Sequence, residues 1–148
     1  MAVALQQTRQ HVWVILGDGE CQEGQVWESA MFASHYRLAN LHVVVDCNGY
    51  QEWGLAARPG ETHTEPAENL AGKWRAFGWA VSHCNGHDFD SMRYCFTQML
   101  DSRHGPQIAI ACTTKGKGFP LVERDPKRFH CASVSAEEHE QLLEGFRR

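Results

Sequence analysis

Apolar positions along the chain fall into two kinds of run. An unbroken apolar stretch of strand length occurs at Val12–Leu16 (VWVIL), and further strands are expected at His42–Val45 led in by Leu41, at Trp79–Cys84 and at Gln107–Thr113. The first of these reads as a strand covered on both faces, because neither face then needs polar side chains. Between the strands the period lengthens. Val26, Trp27, Ala30, Met31, Ala33, Ser34 and Leu38 recur at three- and four-residue spacing, which predicts a helix over Glu23–Leu38. Glu20 and Glu23 lie before or in its first turn, where the helix dipole favours anions, and Asn40 supplies a stop. A short helix is expected at Asn69–Phe77, capped by Asn69 and ended by Gly78. Gly86-His87-Asp88 should cap a further helix from Phe89 to Ser102, and Ser135 with Glu138 forms a capping box for a terminal helix reaching Phe146. Residues 1–9 read as a helix entered midway, with no N-cap residue. Two stretches have neither period and are expected to be long loops: Gly49–Glu68, and Lys115–His130 with its glycine-rich start KGKGF.

The resulting order is β-α-β, loop, α-β-α-β, loop, α. Alternation of this kind implies an α/β fold, a parallel sheet with helices on both faces, built as one domain over residues 1–148. At 148 residues such a domain buries about 68–70 % of its unfolded surface. Apolar residues make up 43 % and charged residues 22 % of the chain, ordinary values for a globular protein. A formal net charge of −4 gives no reason to expect nucleic acid or an anionic membrane as partner. No apolar run is long enough for a transmembrane helix, and the first ten residues lack a signal peptide's basic and apolar regions. The six cysteines include no C-x-x-C pair and read mostly as reduced, buried residues of a cytoplasmic protein; the nine histidines show no zinc-ligand spacing.

Two strands end in the same chemistry. The first runs into Gly17-Asp18-Gly19 and the second into Asp46-Cys47-Asn48-Gly49. Open parallel sheets bind ligands at the carboxyl ends of their strands, so parallel neighbours would bring Asp18 and Asn48 to one rim. A carboxylate and an amide oxygen are hard ligands suited to Mg²⁺, which keeps few protein ligands beside phosphate oxygens and water. Gly19 permits close approach of a phosphate to its backbone N–H, and a helix amino terminus nearby favours anions. Either motif alone is ordinary turn chemistry, since Gly, Asp and Asn dominate turns. The pair, each at a strand end and joined by one helix, is far more specific.

These residues resemble the thiamine-diphosphate-binding domain of the transketolase family, in which G-D-G followed some thirty residues later by Asn marks a Mg²⁺–diphosphate site. Here 28 residues separate Gly19 from Asn48. The text GDGECQEGQVWESAMFASHYRL is similar to a bacterial-type transketolase amino-terminal subunit. The likeness continues through Gly86-His87-Asp88, Thr114-Lys115-Gly116-Lys117-Gly118 and His130. The resemblance implies that Asp18 and Asn48 ligate Mg²⁺ by side chain and Tyr50 by its carbonyl. It places Gly17, Asp18, Gly19, Glu20, Asn48, Tyr50 and His130 around the cofactor. Glu23 matches an acidic residue lying between the two cofactor sites of a dimer, and His130 one near the substrate's reacting end; Glu23 and His130 are thus the candidate catalytic residues. Cys131 stands where the family usually has Gly. Lys115 and Lys117 fit either a covering loop or an ordinary solvated one, and the face carrying Trp27, Met31 and Phe32 fits core or subunit contact.

The same resemblance implies an incomplete unit. The family's diphosphate domain normally begins well before Met1, and no segment here is similar to its pyrimidine-binding domain. The expected partners are complementary transketolase-like chains supplying both, as separately encoded subunits or as fragments of one enzyme, in a dimer of such assemblies, with a sugar or sugar-phosphate-like substrate; the other possibility is a truncated product inactive alone. The implied activity is transfer of a two-carbon ketol unit. The alternatives are another thiamine-diphosphate carboligase, part of a 2-oxo acid dehydrogenase, and a non-catalytic scaffold.

Overall fold

In the computed structural model, residues 10–50 and 69–146 are described, with side chains to residue 144. Four strands form one parallel sheet: β1 (Val12–Gly17), β2 (Leu41–Cys47), β3 (Ala80–Asn85) and β4 (Gln107–Cys112). The order across it is β1-β2-β4-β3. Helix α1 (Gly24–His35) joins β1 to β2, α2 (Leu70–Ala76) precedes β3, and α3 (Phe89–Asp101) returns the chain to β4. Beyond the sheet lie α4 (Pro120–Arg124), α5 (Arg128–Cys131) and α6 (Ala136–Phe146).

Strand alternation sorts the core into two layers. Val43 and Val45 of β2 and Ile108 and Ile110 of β4 pack with Ala30 and Ala33 of α1 and with Leu70 and Trp74 of α2. On the other face Ala109 and Ala111 of β4 and Cys84 of β3 pack with Cys95 and Met99 of α3. Helices therefore cover both faces, and the two that accompany rightward crossovers share a side while the returning one takes the other. That arrangement follows from right-handed β-α-β connection. A tryptophan cluster closes the first layer: Trp74 lies 5.0 Å from Trp27 and 4.9 Å from Trp79 between ring centroids. Trp27 and Trp79 donate their indole N–H groups to the Cys21 and Ala30 carbonyls. Burial pushes the Cys21 thiol up to about 12 and the Cys84 thiol up to about 11, so both stay protonated.

Several expectations are corrected. Among the described residues β1 is not covered on both faces: it lies at the edge of the four described strands, and α3 packs against β3 and β4, with Ile15 77 % exposed and Trp13 40 % exposed. Lys115–His130 is not a continuous loop, since α4 and α5 interrupt it. Asn69 does not cap α2 by its side chain; it adopts the left-handed conformation (φ 54°), and its amide lies where a Cβ on Gly72 would be. Gly17-Asp18-Gly19 leads into a 3₁₀ turn over Gly19–Gln22. Within α1, Met31 and Phe32 are exposed while Trp27 joins the core. The other helix signals hold: Asp88 accepts from the Asp90 N–H, Gly78 ends α2 at φ 83°, and Ser135 and Glu138 exchange both capping-box hydrogen bonds. The helix expected at 1–9 and most of the loop 49–68 lie outside the described residues. Among the described residues no helix is long and apolar enough to cross a membrane.

A second buried feature crosses from β1 to β2. His42 is fully buried, and its Nε2 pairs with His11 Nδ1 at 2.7 Å under the Trp13 ring. Burial, with His11 adding, pulls its pKa down to about 4. Above about pH 6.5 both folded and unfolded chains hold this imidazole neutral. Below that only the unfolded chain takes the proton, until the folded group also titrates near 4. Stability should therefore fall between about pH 6.5 and pH 4, by up to about 3 kcal/mol, and His42→Leu should remove that segment of the pH–stability curve in denaturant titrations. Trp74→Ala should cost about 3–5 kcal/mol by the same measurement, since it empties the centre of the tryptophan cluster.

Candidate functional site

The carboxyl ends of the strands meet because β1 and β2 pair in register, Val12 with Leu41 through Gly17 with Asp46. The ladder runs one step further: the Asp18 N–H donates to the Asp46 carbonyl at 3.1 Å. Asp18 then turns inward and is only 4 % exposed. Its carboxylate accepts from its neighbour Gly19 N–H at 2.9 Å and, across the rim, from the Gly49 N–H at 2.8 Å. Gly49 reaches that position with φ 77°, a conformation that glycine adopts without the Cβ penalty. Asn48 is fixed by its own turn, its Oδ1 accepting from the Tyr50 N–H at 2.9 Å and its Nδ2 donating to Asp46 Oδ2 at 3.1 Å.

The rim thus holds Asp18, Asp46 and the Asn48 amide oxygen in one cluster. Burial pushes the Asp18 carboxyl above the usual carboxylate range; the two backbone N–H bonds oppose this, and the Asp46 charge adds to it. Neither carboxylate joins an ion pair among the described residues. A buried carboxylate beside a second one and an amide oxygen is a donor set suited to a hard divalent cation. No group of three or more His, Cys, Asp or Glu side chains with metal-binding geometry occurs among the described residues.

Hydrogen bonds continue along the rim to the other two strands. Thr113, just past β4, donates its hydroxyl to Asp46 Oδ1, and its N–H donates to the Cys47 carbonyl at 3.3 Å. The Thr114 N–H donates to His87 Nε2 at 2.7 Å, joining the two distant motifs G-H-D and T-K-G-K-G. Asp46, Thr113 and His87 are rim residues that motif reading does not assign to the site. The acid in Asp46-Cys47-Asn48-Gly49 was the available signal for Asp46. Nothing local marks Thr113, whose partner lies 67 residues away.

The remaining expected residues divide. Gly17 lies at the end of β1, its N–H donating to the Glu20 carboxylate. Glu20 and Glu23 line one cavity of about 290 Å³ with Leu16, Val26 and Trp74. Glu23 is exposed at the N-cap of α1 and accepts from the Gln25 amide. Tyr50 is half-buried beside Asn48. The Gly19 N–H is turned to Asp18 here. His130 lies on α5 with a buried, unpartnered Nδ1; no hydrogen bond among the described residues joins it to the Asp18 cluster. Lys117 borders a wide, shallow depression with His87, Cys112 and Thr114.

Comparison with known proteins identifies the family. Residues 4–146 match the family described as transketolase, thiamine diphosphate binding domain. The chain is 37 % identical over 132 residues to transketolase-like protein 2 of Bos taurus, covering 89 % of this chain and 20 % of that protein. It is 37 % identical over 123 residues to the 6-deoxy-6-sulfo-D-fructose transketolase subunit SqwG of Clostridium sp. (strain MSTE9), covering 83 % and 43 %. It is 31 % identical over 143 residues to one of the subunits of the apulose-4-phosphate transketolase of Phocaeicola vulgatus, covering 97 % and 49 %. The chain therefore spans between a fifth and a half of these relatives' lengths. A transketolase structure from Campylobacter jejuni superposes with a TM-score of 0.62 at 26 % identity, over 76 % of this chain and 17 % of that one. A Pichia stipitis transketolase shares the fold at a TM-score of 0.73 and 22 % identity, over 92 % and 19 %. With a match that runs almost the length of the chain, it belongs to the transketolase family, as a thiamine-diphosphate-binding domain.

Proposed function

We propose that this chain anchors the Mg²⁺ and diphosphate of thiamine diphosphate in a transketolase-like enzyme that transfers a two-carbon ketol unit between sugar-like substrates. The observation carrying this reading is the rim cluster, a buried Asp18 carboxylate beside Asp46 and the Asn48 amide oxygen, with no ion pair among the described residues to balance it. Asp18 and Asn48 would supply side-chain oxygens to the metal, and Tyr50 its carbonyl. Gly19 would turn its N–H from Asp18 to a diphosphate oxygen, and Gly17 and Glu20 would shape that turn. Asp46, held by Thr113 and Asn48, keeps the amide oriented.

When bound, thiamine diphosphate supplies the nucleophilic carbon that attacks the ketose. The protein's part at this end is positioning and charge neutralisation. Glu23, on the cavity beside the rim, is proposed to couple the site to its counterpart in a dimer. His130 is proposed to act near the substrate's reacting end once α5 is brought to the site. We infer that the chain forms the larger, carboxyl-terminal part of a diphosphate-binding domain. Complementary chains would supply the rest of that domain and the pyrimidine-binding domain. The relatives named as transketolase subunits, of which this chain spans 43 % and 49 %, support a divided enzyme. A cytoplasmic location accords with this reading.

Calorimetric titration of thiamine diphosphate with Mg²⁺, with and without co-expressed partner chains, tests it. Binding confined to the assembly supports a divided enzyme, whereas no binding in any assembly would sink the anchor and favour a scaffold. Asp18→Ala should abolish cofactor retention in the assembled enzyme, read as bound thiamine diphosphate per chain after gel filtration. Unchanged occupancy would refute the metal assignment.

A further inference from the structure

Two thiols face each other beside the rim cluster. Cys47 ends β2 and Cys112 ends β4, and the two are partners in the parallel ladder, the last of six pairs that begin with His42 and Gln107. Direct partners in a parallel ladder point to the same face. Here it is the face of Val43, Val45, Ile108 and Ile110, with Cys47 packed against that layer. Adjacent strands lie about 4.7–4.9 Å apart. A disulfide needs Cα atoms about 4.4–6.8 Å apart and Cβ atoms about 3.5–4.5 Å apart. The Cα spacing therefore suits a bond directly, and the Cβ atoms must close by roughly 1 Å. Both residues are free thiols, Cys112 exposed and Cys47 half-buried. Cys112 also borders the open depression lined by His87 and Thr114, which gives a small oxidant access. The other close thiol pair, Cys84 and Cys95, is buried on the opposite face.

We propose that Cys47 and Cys112 form a peroxide-responsive disulfide that weakens the cofactor anchor. Cys112 sulfur attacks one peroxide oxygen, the O–O bond breaks, and water leaves, giving a sulfenic acid. The Cys47 sulfur then attacks the Cys112 sulfur and a second water leaves. Hydrogen peroxide is reduced by two electrons to two waters, and the two thiols are oxidised to one disulfide. Closing the bond draws the end of β2 toward β4. Asn48 follows Cys47 directly, and Asp46, which precedes it, is bonded to both Asn48 and Thr113. Movement at Cys47 therefore displaces the amide oxygen relative to Asp18. This consequence, though not the disulfide itself, rests on the anchor reading above.

The test treats the full chain, in whatever assembly it purifies with, with hydrogen peroxide, alkylates it and digests it with trypsin. Cys47 and Cys112 fall in separate tryptic peptides, residues 38–73 and 104–115, and each peptide holds one cysteine, so a link between them is unambiguous. The expected result is that linked pair, reversed by dithiothreitol, lost in Cys47→Ser and in Cys112→Ser, and kept in Cys84→Ser. Circular dichroism checks that each variant folds, and Cys112→Ala replaces any serine variant that does not. Recovery of Cys112 as sulfinic acid or as a mixed disulfide, with Cys47 still alkylated, would overturn the proposal. Thiamine diphosphate with Mg²⁺ should bind the oxidised form at least tenfold more weakly than the reduced form by calorimetry. Equal affinity would overturn the control of the anchor even where the link forms. Failure of the reduced form to bind in any assembly would instead strike the anchor reading, while the peptide result still decides the thiol pair.

Discussion

The hydrogen bond from the Gly49 N–H to the Asp18 carboxylate carries the site. It joins the turn after β2 to the turn after β1, and it exists only because the two strands are parallel and in register to their last pair. A slip of one residue would turn Asp18 to the other face of the sheet. The same register delivers Asp46 to Asp18, so the geometry that builds the donor set also builds a repulsion. Burial and the second carboxylate both disfavour the Asp18 charge, and two backbone N–H groups only partly compensate. Local rules broken without local compensation are expected at functional sites. Here a cation is the missing compensation on the reading proposed above, and the tension is a consequence of the strand pairing itself.

The sheet's core was legible because the β2 and β4 strands carry unbroken apolar runs bounded by turn residues, and burial on both faces demands such runs. Capping was legible where a side chain could reach only one backbone N–H, as at Asp88 and Ser135. It failed at Asn69, whose side chain lies against Gly72 while its backbone turns left-handed, an option Asn tolerates and a propensity argument does not distinguish. The helices at 120–124 and 128–131 were hidden because four or five residues are too few to show a 3.6-residue period. The exposed face of β1 was hidden for a different reason. An apolar run states that burial is available, and it does not state which element provides it.

Within the site, the two turn motifs were readable because each is local. Their juxtaposition needed only adjacency of the first two strands, which sequence order favours. The reach from Thr113 to Asp46 and from Thr114 to His87 was not readable, because it depends on β4 lying between β2 and β3. That insertion is what gathers four strand ends into one rim. It gives the motifs G-H-D and T-K-G-K-G a structural role, tying the far half of the sheet to the half that carries Asp18.

The exposed side of β1 bears on how such a rim could act. Trp13 rests against Phe96 and His42, whereas Ile15 lies largely in solvent two residues before the Gly17 turn. Apolar area at a sheet edge is unfavourable in water, and unpaired strand groups invite a further strand. Under the divided-enzyme proposal a complementary chain would cover this face, and burial of its apolar area would stabilise the contact. Any element laid along β1 would run toward the same strand ends that hold Asp18. Under the divided-enzyme proposal, covering the apolar edge and completing the cofactor site would then be one event. Assembly would be stabilised by burial of Ile15 and Trp13, and by the same contact the groups that act on the far end of the cofactor would arrive beside the anchor.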